Sequence, residues 1–197
     1  MLIVVRHGRT EANASGLLLG RRLDPGLDDL GRRQAQALAA ALERAGVLPA
    51  ARVISSPLRR SRETAEAFGR PVEVDDRWVE LDYGELDGTP LRDVPADVWS
   101  HWRDDPSWAP AGGESLVDLG VRVREVCAAV AGDAAEQDVV VVTHVSPVKA
   151  ALAWALGVGD DISFRAFVAP ASITTISTAG PRPSLHGFNV RSHLDGL

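Results

Sequence analysis

The sequence predicts an α/β fold, a three-layer α/β/α sandwich built on a mostly parallel sheet. Two continuous aliphatic runs, Leu2–Val5 and Val139–Thr143, are typical of strands that are buried on both faces. Short apolar strands alternate with amphipathic helices between them, a pattern that favours parallel strands with helices on both sides. The chain has 197 residues, of which 45% are hydrophobic. We therefore expect one core and a single domain over residues 1–197.

The other elements are predicted in chain order from their start and stop signals. Ser56 and Pro57 are expected to serve as the N-cap and the first residue of one helix. A Gly-Pro turn between the last two strands indicates an antiparallel edge. The predicted helices cover 28–45, 57–68, 114–131 and 147–156, and the further strands cover 52–55, 72–74, 173–177 and 185–189.

The segment 83–113 differs in composition from the rest of the chain. It contains four prolines, three tryptophans (Trp99, Trp102 and Trp108) and one predicted short helix around Val98. Such a segment does not continue the alternation of strands and helices. We expect it to be a short lid insertion that lies over a site.

Composition excludes several classes of function. The net charge of −6 disfavours nonspecific nucleic-acid binding, which needs a basic face. No run of eighteen apolar residues occurs and no signal peptide is expected, so we predict no membrane partner. The single cysteine, Cys127, rules out a disulfide within the chain and suits a reducing, cytoplasmic location. A homodimer stays possible.

The first candidate site residue is His7, which follows the first strand and stands between Arg6 and Arg9. Ligands of open α/β sheets bind beyond the carboxyl ends of strands. A lone histidine in this position is often structural, but two neighbouring guanidinium groups favour an anion, and arginine matches the geometry of phosphate. Neutral imidazole can attack phosphorus, so we predict a nucleophile at a phosphate-ester site. Gly8 is expected to let the ligand approach the backbone.

Arg60 is the second candidate, from the pattern of its helix. It shares a stripe with Ser61, Thr64, Ala65 and Phe68, and that stripe is expected to face inward. Charged pairs four residues apart, Arg59 with Glu63 and Arg62 with Glu66, are expected on the outer face. A buried guanidinium without a partner is costly, so Arg60 needs an anion, either a phosphate or a distant carboxylate.

His144 ends the second apolar strand as His7 ends the first. If the two strands are adjacent and parallel, their carboxyl ends bring both histidines to one edge of the sheet. A metal site is the competing interpretation of a histidine pair, but these two are far apart in sequence and lack the close ligand spacing of zinc sites. We therefore expect neither a metal nor a cofactor. Ser146-Pro147 is expected to begin a helix whose free N–H groups favour an anion.

These segments resemble the histidine phosphatase superfamily, the phosphoglycerate mutase-like branch 1. The string Arg6-His7-Gly8-Arg9-Thr10-Glu11-Ala12-Asn13 is similar to its R-H-G-x-T-x-x-N motif, and 56–65 is similar to its S-x-L-x-R-A-x-x-T-A motif. The spacing E-x-x-x-G-x-x-x-G recurs in 80–88, and 112–115 also resembles the family. One departure is Val145, where the family has glycine after the second histidine.

The resemblance implies a phosphomonoesterase that acts through a phosphohistidine on a small phosphorylated metabolite. His7 is then the nucleophile and Glu80 the acid, whereas pattern alone leaves Asp82, Glu85 and Asp87 as equal candidates. Arg6, Asn13, Arg60 and His144 are the implied phosphate ligands, with Arg6 and His144 also counted as catalytic. A mutase uses the same residues, but its insertion is usually more basic than 83–113, which holds only two arginines. A non-catalytic phosphate-binding protein is the third alternative.

Overall fold

The computed structural model describes all of residues 1–197 and contains one six-stranded sheet. The strands are β1 (Leu2–Arg6), β2 (Arg52–Ser55), β3 (Val72–Val74), β4 (Val139–Thr143), β5 (Ile173–Ser177) and β6 (Ser184–Val190). Their order is β3-β2-β4-β1-β5-β6. The pairs among β1 to β4 are parallel, and β5 and β6 add an antiparallel edge. The predicted mostly parallel sheet and its antiparallel edge are confirmed.

Six α-helices accompany the sheet. They are α1 (Glu11–Ala14), α2 (Asp29–Arg44), α3 (Arg59–Glu66), α4 (Ala96–Asp104), α5 (Leu116–Glu136) and α6 (Val145–Leu156). The alternation of side chains along β1 explains the three layers, since successive residues of a strand point to opposite faces. Leu2 and Val4 join a core cluster with α5 and α6. Ile3 and Val5 join another with α2 and α3. The predicted sandwich is therefore confirmed.

The predicted starts of α3 and α6 are wrong. Helix α3 begins at Arg59, with Leu58 as its N-cap residue, so Ser56 does not cap it and Pro57 lies before it. Ser56 is instead buried and bonded to His144. Helix α6 begins at Val145 rather than Pro147, and His144 is its N-cap residue. In both places a polar side chain with a partner elsewhere in the fold overrides the local start signal.

Helix α5 begins at Leu116, two residues after its predicted start, and extends five residues beyond its predicted end. The prediction ended at Ala131, next to Gly132, but an isolated glycine costs a helix only about 1 kcal/mol. Ala134 is buried and packs in the same core cluster as the rest of α5. Tertiary packing thus carries the helix past the glycine to Glu136.

The segment 83–113 forms a layer of its own beside the carboxyl ends of the strands. Helix α4 lies near its middle, and its Trp102 is buried with Leu18 and Val94 in a small separate cluster. The rings of Trp99 and Trp108 pack on Trp102 at centroid distances of 5.6 and 5.4 Å. Residues of this segment form one wall of the cavity described next. No helix of the chain has the length and apolar character needed to cross a bilayer.

Candidate active site

Strands β1 and β4 bring the two histidines together. The strands are adjacent, and Arg6 is in register with Thr143, so the residues that follow them, His7 and His144, are neighbours. Their ring centroids are 5.1 Å apart with the rings edge to face. This arrangement confirms that the carboxyl ends of both strands lie at the same edge of the sheet.

A cavity of about 340 Å³ opens at this edge. Four of the six predicted site residues line it: Arg6, His7, Asn13 and Glu80. The other two, Arg60 and His144, are fully buried and bonded to each other, and the ring of His144 lies against that of His7. Four predicted residues thus line the cavity, and the other two lie buried next to them.

The hydrogen bonds of His7 define its protonation. Its Nδ1 lies 2.7 Å from the carbonyl oxygen of Gly8, which can only accept, so Nδ1 carries the proton. Nε2 has no hydrogen-bond partner and is not among the buried unpaired atoms, so its lone pair is open to the cavity. Burial, and then the charges of Arg60 and Arg6, hold the pKa of His7 well below its usual value of 6.5. His7 is therefore a neutral imidazole with a free Nε2.

Gly8 has a packing role that the sequence did not predict. A Cβ at this position would lie 2.6 Å from the carbonyl oxygen of Gly31 in α2. The backbone N–H of Gly8 donates to Thr64 Oγ1 at 3.0 Å. This glycine thus lets the loop after β1 lie against α2 and α3, which fixes His7; the approach of a ligand to its backbone stays a prediction.

Arg6 presents the cationic wall of the cavity. Its Nη1 donates to the carbonyl of Val168 at 2.7 Å, whereas Nε is buried without a partner. No carboxylate lies within 4 Å of this guanidinium. Burial lowers its pKa to about 10, against a raising effect of Glu80, so it stays charged at neutral pH. An unpaired buried cation beside a nucleophile is suited to a phosphoryl oxygen.

Asn13 lies in the short helix α1, which the sequence did not predict. Its Oδ1 accepts from the Thr10 backbone N–H and hydroxyl at 3.1 and 3.0 Å, in a capping box. The side-chain Nδ2 forms no bond within the protein and is therefore available to the cavity that Asn13 lines. The family motif selected this residue, and its local hydrogen bonds explain how it is held.

Helix α3 has the predicted inner and outer faces. Arg60, Ser61, Thr64, Ala65 and Phe68 are all buried, and Arg59 pairs with Glu63 at 2.6 Å on the outside. The second expected pair, between Arg62 and Glu66, does not form. Both of its members are exposed, where an ion pair contributes little.

Arg60 has more partners than the sequence indicated. Its Nη2 donates to the Gly20 carbonyl at 2.8 Å, its Nη1 to the Leu23 carbonyl at 3.3 Å, and its Nε to His144 at 3.2 Å. Asp24, at 4.0 Å, is the nearest carboxylate. These bonds use three of the five N–H groups of a guanidinium, so two remain for another acceptor.

His144 supports Arg60 in this arrangement. Because Arg60 Nε can only donate, His144 Nδ1 accepts, and Nε2 carries the proton that it donates to Ser56 Oγ at 2.7 Å. Burial and then Arg60 lower its pKa well below 6.5, in accord with a neutral ring. Both nitrogens are thus engaged by protein groups. Ser56, which the sequence pattern offered as a helix cap, is a functional residue that was missed.

Among the four candidate carboxylates, Glu80 is the one that lines the cavity. Its Oε1 accepts from the backbone N–H groups of Leu81 at 2.8 Å and Ser146 at 3.2 Å. Oε2 has no partner and stays open to the cavity. The helix start at Ser146, which was expected to hold an anion, thus holds the carboxylate of Glu80.

The backbone of Glu80 is held by a clamp of three side chains, Arg21, Glu114 and Arg122. Arg21 Nε and Arg122 Nη2 both donate to the Glu80 carbonyl, at 2.6 and 3.2 Å. Glu114 bridges the two arginines, at 2.6 Å from Arg21 and 2.8 Å from Arg122. Arg21 is thus an internal ion-pair partner of Glu114.

Further residues around the cavity were not predicted as site residues. Tyr83, Ser146 and Lys149 line it, and the Tyr83 hydroxyl lies 3.4 Å from Ser146 Oγ. Val145, where the resemblance expected a glycine, also lines it. No group of three or more His, Cys, Asp or Glu side chains converges in the chain as a metal site would require.

The chain matches the family model of the histidine phosphatase superfamily (branch 1) over residues 2–191. The chain belongs to this superfamily. The predicted resemblance is therefore confirmed, and it extends over almost the whole sequence.

Individual relatives agree with this placement. The chain is 36% identical over 180 residues to the bifunctional protein Rv2228c of Mycobacterium tuberculosis, matching 88% of this chain and 49% of that protein. It thus spans about half the length of the first curated relatives. It is 34% identical to phosphoserine phosphatase 1 of Hydrogenobacter thermophilus, over 98% of this chain and 93% of the relative. A solved mycobacterial glucosyl-3-phosphoglycerate phosphatase, in complex with VO3, superposes with a TM-score of 0.84 at 32% identity, covering 96% and 98% of the two chains.

Proposed function

We propose that this chain is a phosphomonoester hydrolase that acts on a small phosphorylated metabolite through a phosphohistidine at His7. The observation that carries the proposal is the open Nε2 of a neutral His7, in one cavity with the Glu80 carboxylate and the unpaired Arg6 cation. Relatives named phosphoserine phosphatase and glucosyl-3-phosphoglycerate phosphatase support the same reaction class.

The reaction has two steps that share the same residues. His7 Nε2 donates its lone pair to phosphorus, the bond to the ester oxygen breaks, and the protonated Glu80 gives its proton to the leaving alcohol. A water then attacks the phosphohistidine, and the Glu80 carboxylate accepts a proton from it. Phosphate leaves, the Nε2 lone pair is restored, and Glu80 is protonated again. Arg6, Asn13 and the two remaining N–H groups of Arg60 stabilise the phosphoryl oxygens.

In this proposal His144 keeps its predicted part beside His7 but not its predicted bond to the phosphate, because protein groups engage both of its ring nitrogens. Its bond from Arg60 and its contact with the His7 ring support a part in aligning both groups. Charge neutralisation in the proposed site comes from arginine, so no metal or cofactor takes part. We further propose a cytoplasmic location, because a single buried cysteine, Cys127, suits a reducing compartment. We propose no nucleic-acid partner, and a homodimer is the assembly left to be tested.

The test is release of inorganic phosphate from p-nitrophenyl phosphate in the presence of EDTA. We expect turnover by the wild type, none by His7→Ala, and full activity of His186→Ala, a matched change at an exposed histidine. Loss of activity on chelation, restored by a divalent cation, would overturn the metal-independent reaction. Transfer of the phosphoryl group to a second alcohol in preference to water would indicate a mutase.

A further inference from the structure

Beyond the reacting groups, the cavity is mainly apolar. Eleven of its eighteen lining residues are hydrophobic, and four of the lining residues are aromatic: Tyr83, Trp99, Trp102 and Phe164. Three of these rings support each other, since Trp102 lies 5.7 Å from Tyr83 and 5.6 Å from Trp99 between centroids. Such a wall offers rings and C–H groups a packing surface and gives few partners to the hydroxyl groups of an open polyol chain, which would lose water without gaining hydrogen bonds.

The volume of the cavity exceeds what a phosphoryl group needs. At about 30 Å³ for a water-sized group, the four heavy atoms of a phosphoryl group fill about a third of the 340 Å³. The remainder holds a benzene ring and part of its substituents. Offset or edge-to-face contact with the rings of the wall favours such a ring further.

Lys149 adds a cation to this apolar wall. It is the only lysine of the chain and lines the cavity from α6. Its Nζ donates to the Ser163 carbonyl at 2.5 Å, which uses one of its three N–H groups, and no carboxylate lies within 4 Å. The proposed mechanism assigns the phosphate to Arg6 and Arg60 and does not use this ammonium. Glu80 in the same cavity acts on this ammonium at longer range but forms no ion pair with it, so the partly buried cation can pair with an anionic group on the ligand.

We propose that the substrate is the phosphate monoester of an alcohol whose apolar ring packs on the aromatic wall and whose carboxylate binds Lys149. This inference rests on the proposed hydrolase reaction and specifies its substrate class. Trp99 and Phe164 are the accessible members of the wall, since Trp102 is buried in the lid and Tyr83 contacts Ser146. Lys149 then determines specificity, because its free N–H groups lie in the same cavity as these rings.

Three primary alkyl phosphates test the inference, since their leaving alcohols are similar in acidity. They are ethyl phosphate, 2-phenylethyl phosphate and the 4-carboxy derivative of 2-phenylethyl phosphate. We expect kcat/KM to rise by at least about tenfold from the first to the second, because the ring is buried. It should rise by about tenfold more for the third, through a charge-assisted hydrogen bond. Equal values for the first two, or no gain from the carboxylate, would overturn the inference.

Variants separate the parts of the inference. In Lys149→Met the ratio of kcat/KM for the two ring esters should fall to about one, whereas in Arg165→Met, at an exposed arginine outside the cavity, it should stay as in the wild type. A ratio unchanged in Lys149→Met would contradict the assignment of this lysine. If p-nitrophenyl phosphate is hydrolysed but none of the three esters is, the inference fails while the proposed function stands. If neither p-nitrophenyl phosphate nor any of the three alkyl phosphates is hydrolysed, the proposed function itself is contradicted.

Discussion

At the scale of single residues, the chemistry depends on where the protons are. The Gly8 carbonyl holds the His7 proton on Nδ1, and burial with two neighbouring arginines keeps the ring neutral. Glu80 presents the complementary group, with Oε1 fixed by two backbone N–H groups and Oε2 open. The proposed nucleophile and the proposed acid therefore share one cavity without forming a bond to each other.

Glu80→Gln tests the role of the acid. An alkyl phosphate leaves as a strongly basic alkoxide and needs the proton, whereas p-nitrophenolate needs it much less. We expect kcat for the alkyl ester to fall by about a hundredfold or more, and kcat for the p-nitrophenyl ester to fall far less. Steady-state kinetics on both esters give the two ratios. An equal loss for both would indicate that Glu80 only positions other groups.

At the scale of elements, helix α3 shows how a sequence pattern selects a site residue. Its apolar stripe placed Arg60 on the buried face and Arg59 on the exposed face, and both placements are confirmed. The pattern could not show the partners of Arg60, because the two carbonyls and His144 come from distant segments of the chain. For the same reason the pattern assigned Ser56 to a helix cap, although its side chain is hydrogen-bonded to His144, which follows β4.

Arg60→Ala and Arg59→Ala are a matched pair on this helix. Loss of Arg60 should cost about 3 kcal/mol or more of transition-state stabilisation, calculated from kcat/KM, as for a lost donor to a developing charge. Loss of Arg59 should cost less than about 1 kcal/mol, because its pair with Glu63 is exposed. Similar losses in the two variants would refute the assignment of Arg60 to the phosphate.

The clamp of Arg21, Glu114 and Arg122 connects the loop after α1 to α5 and fixes the segment that carries Glu80. Glu114→Gln removes the charge that holds both arginines. Because small displacements of a catalytic group are costly, we expect kcat to fall about tenfold, with a larger loss for alkyl esters than for the p-nitrophenyl ester.

The matched control is Glu73→Gln, which breaks an exposed pair with Arg52. It should leave kcat unchanged for both esters. If Glu114→Gln lowers kcat for both esters by the same factor, the clamp supports the fold and not the position of the acid.

At the scale of the whole molecule, the sheet order creates the site. Placing β4 next to β1 puts His144 beside His7, although 137 positions separate them in the sequence. The two apolar runs and the polar residues that follow them were enough to predict that the two histidines lie close together. The lining of the cavity by Lys149, Trp99 and Phe164 was not predictable, because it depends on how the insertion and α6 pack over the strand ends.

Two buried neutral histidines make the stability of the fold depend on pH. Burial lowers the pKa of His7 and of His144 below the unfolded value of 6.5, so below that pH the unfolded chain binds more protons than the folded chain. Stability is therefore complete above about pH 6.5 and falls on acidification, by up to about 1.4 kcal/mol per pH unit for each histidine.

Urea unfolding at about pH 7 and about pH 5.5 measures this dependence. Between these two pH values the free energy of unfolding should fall more for the wild type than for His7→Gln, because the variant has one buried neutral histidine fewer. Identical losses in the two proteins would show that His7 does not titrate as a buried neutral group.

The proposed reaction requires that His7 receives the phosphoryl group. The most direct test is to mix the enzyme with a phosphate ester, stop the reaction with base within one turnover, and map the protein by mass spectrometry. We expect a phosphate on His7 that survives base, is lost in acid, and is absent from His7→Ala. A phosphate on any other residue, or an active enzyme that carries no such phosphate at any time, would contradict it.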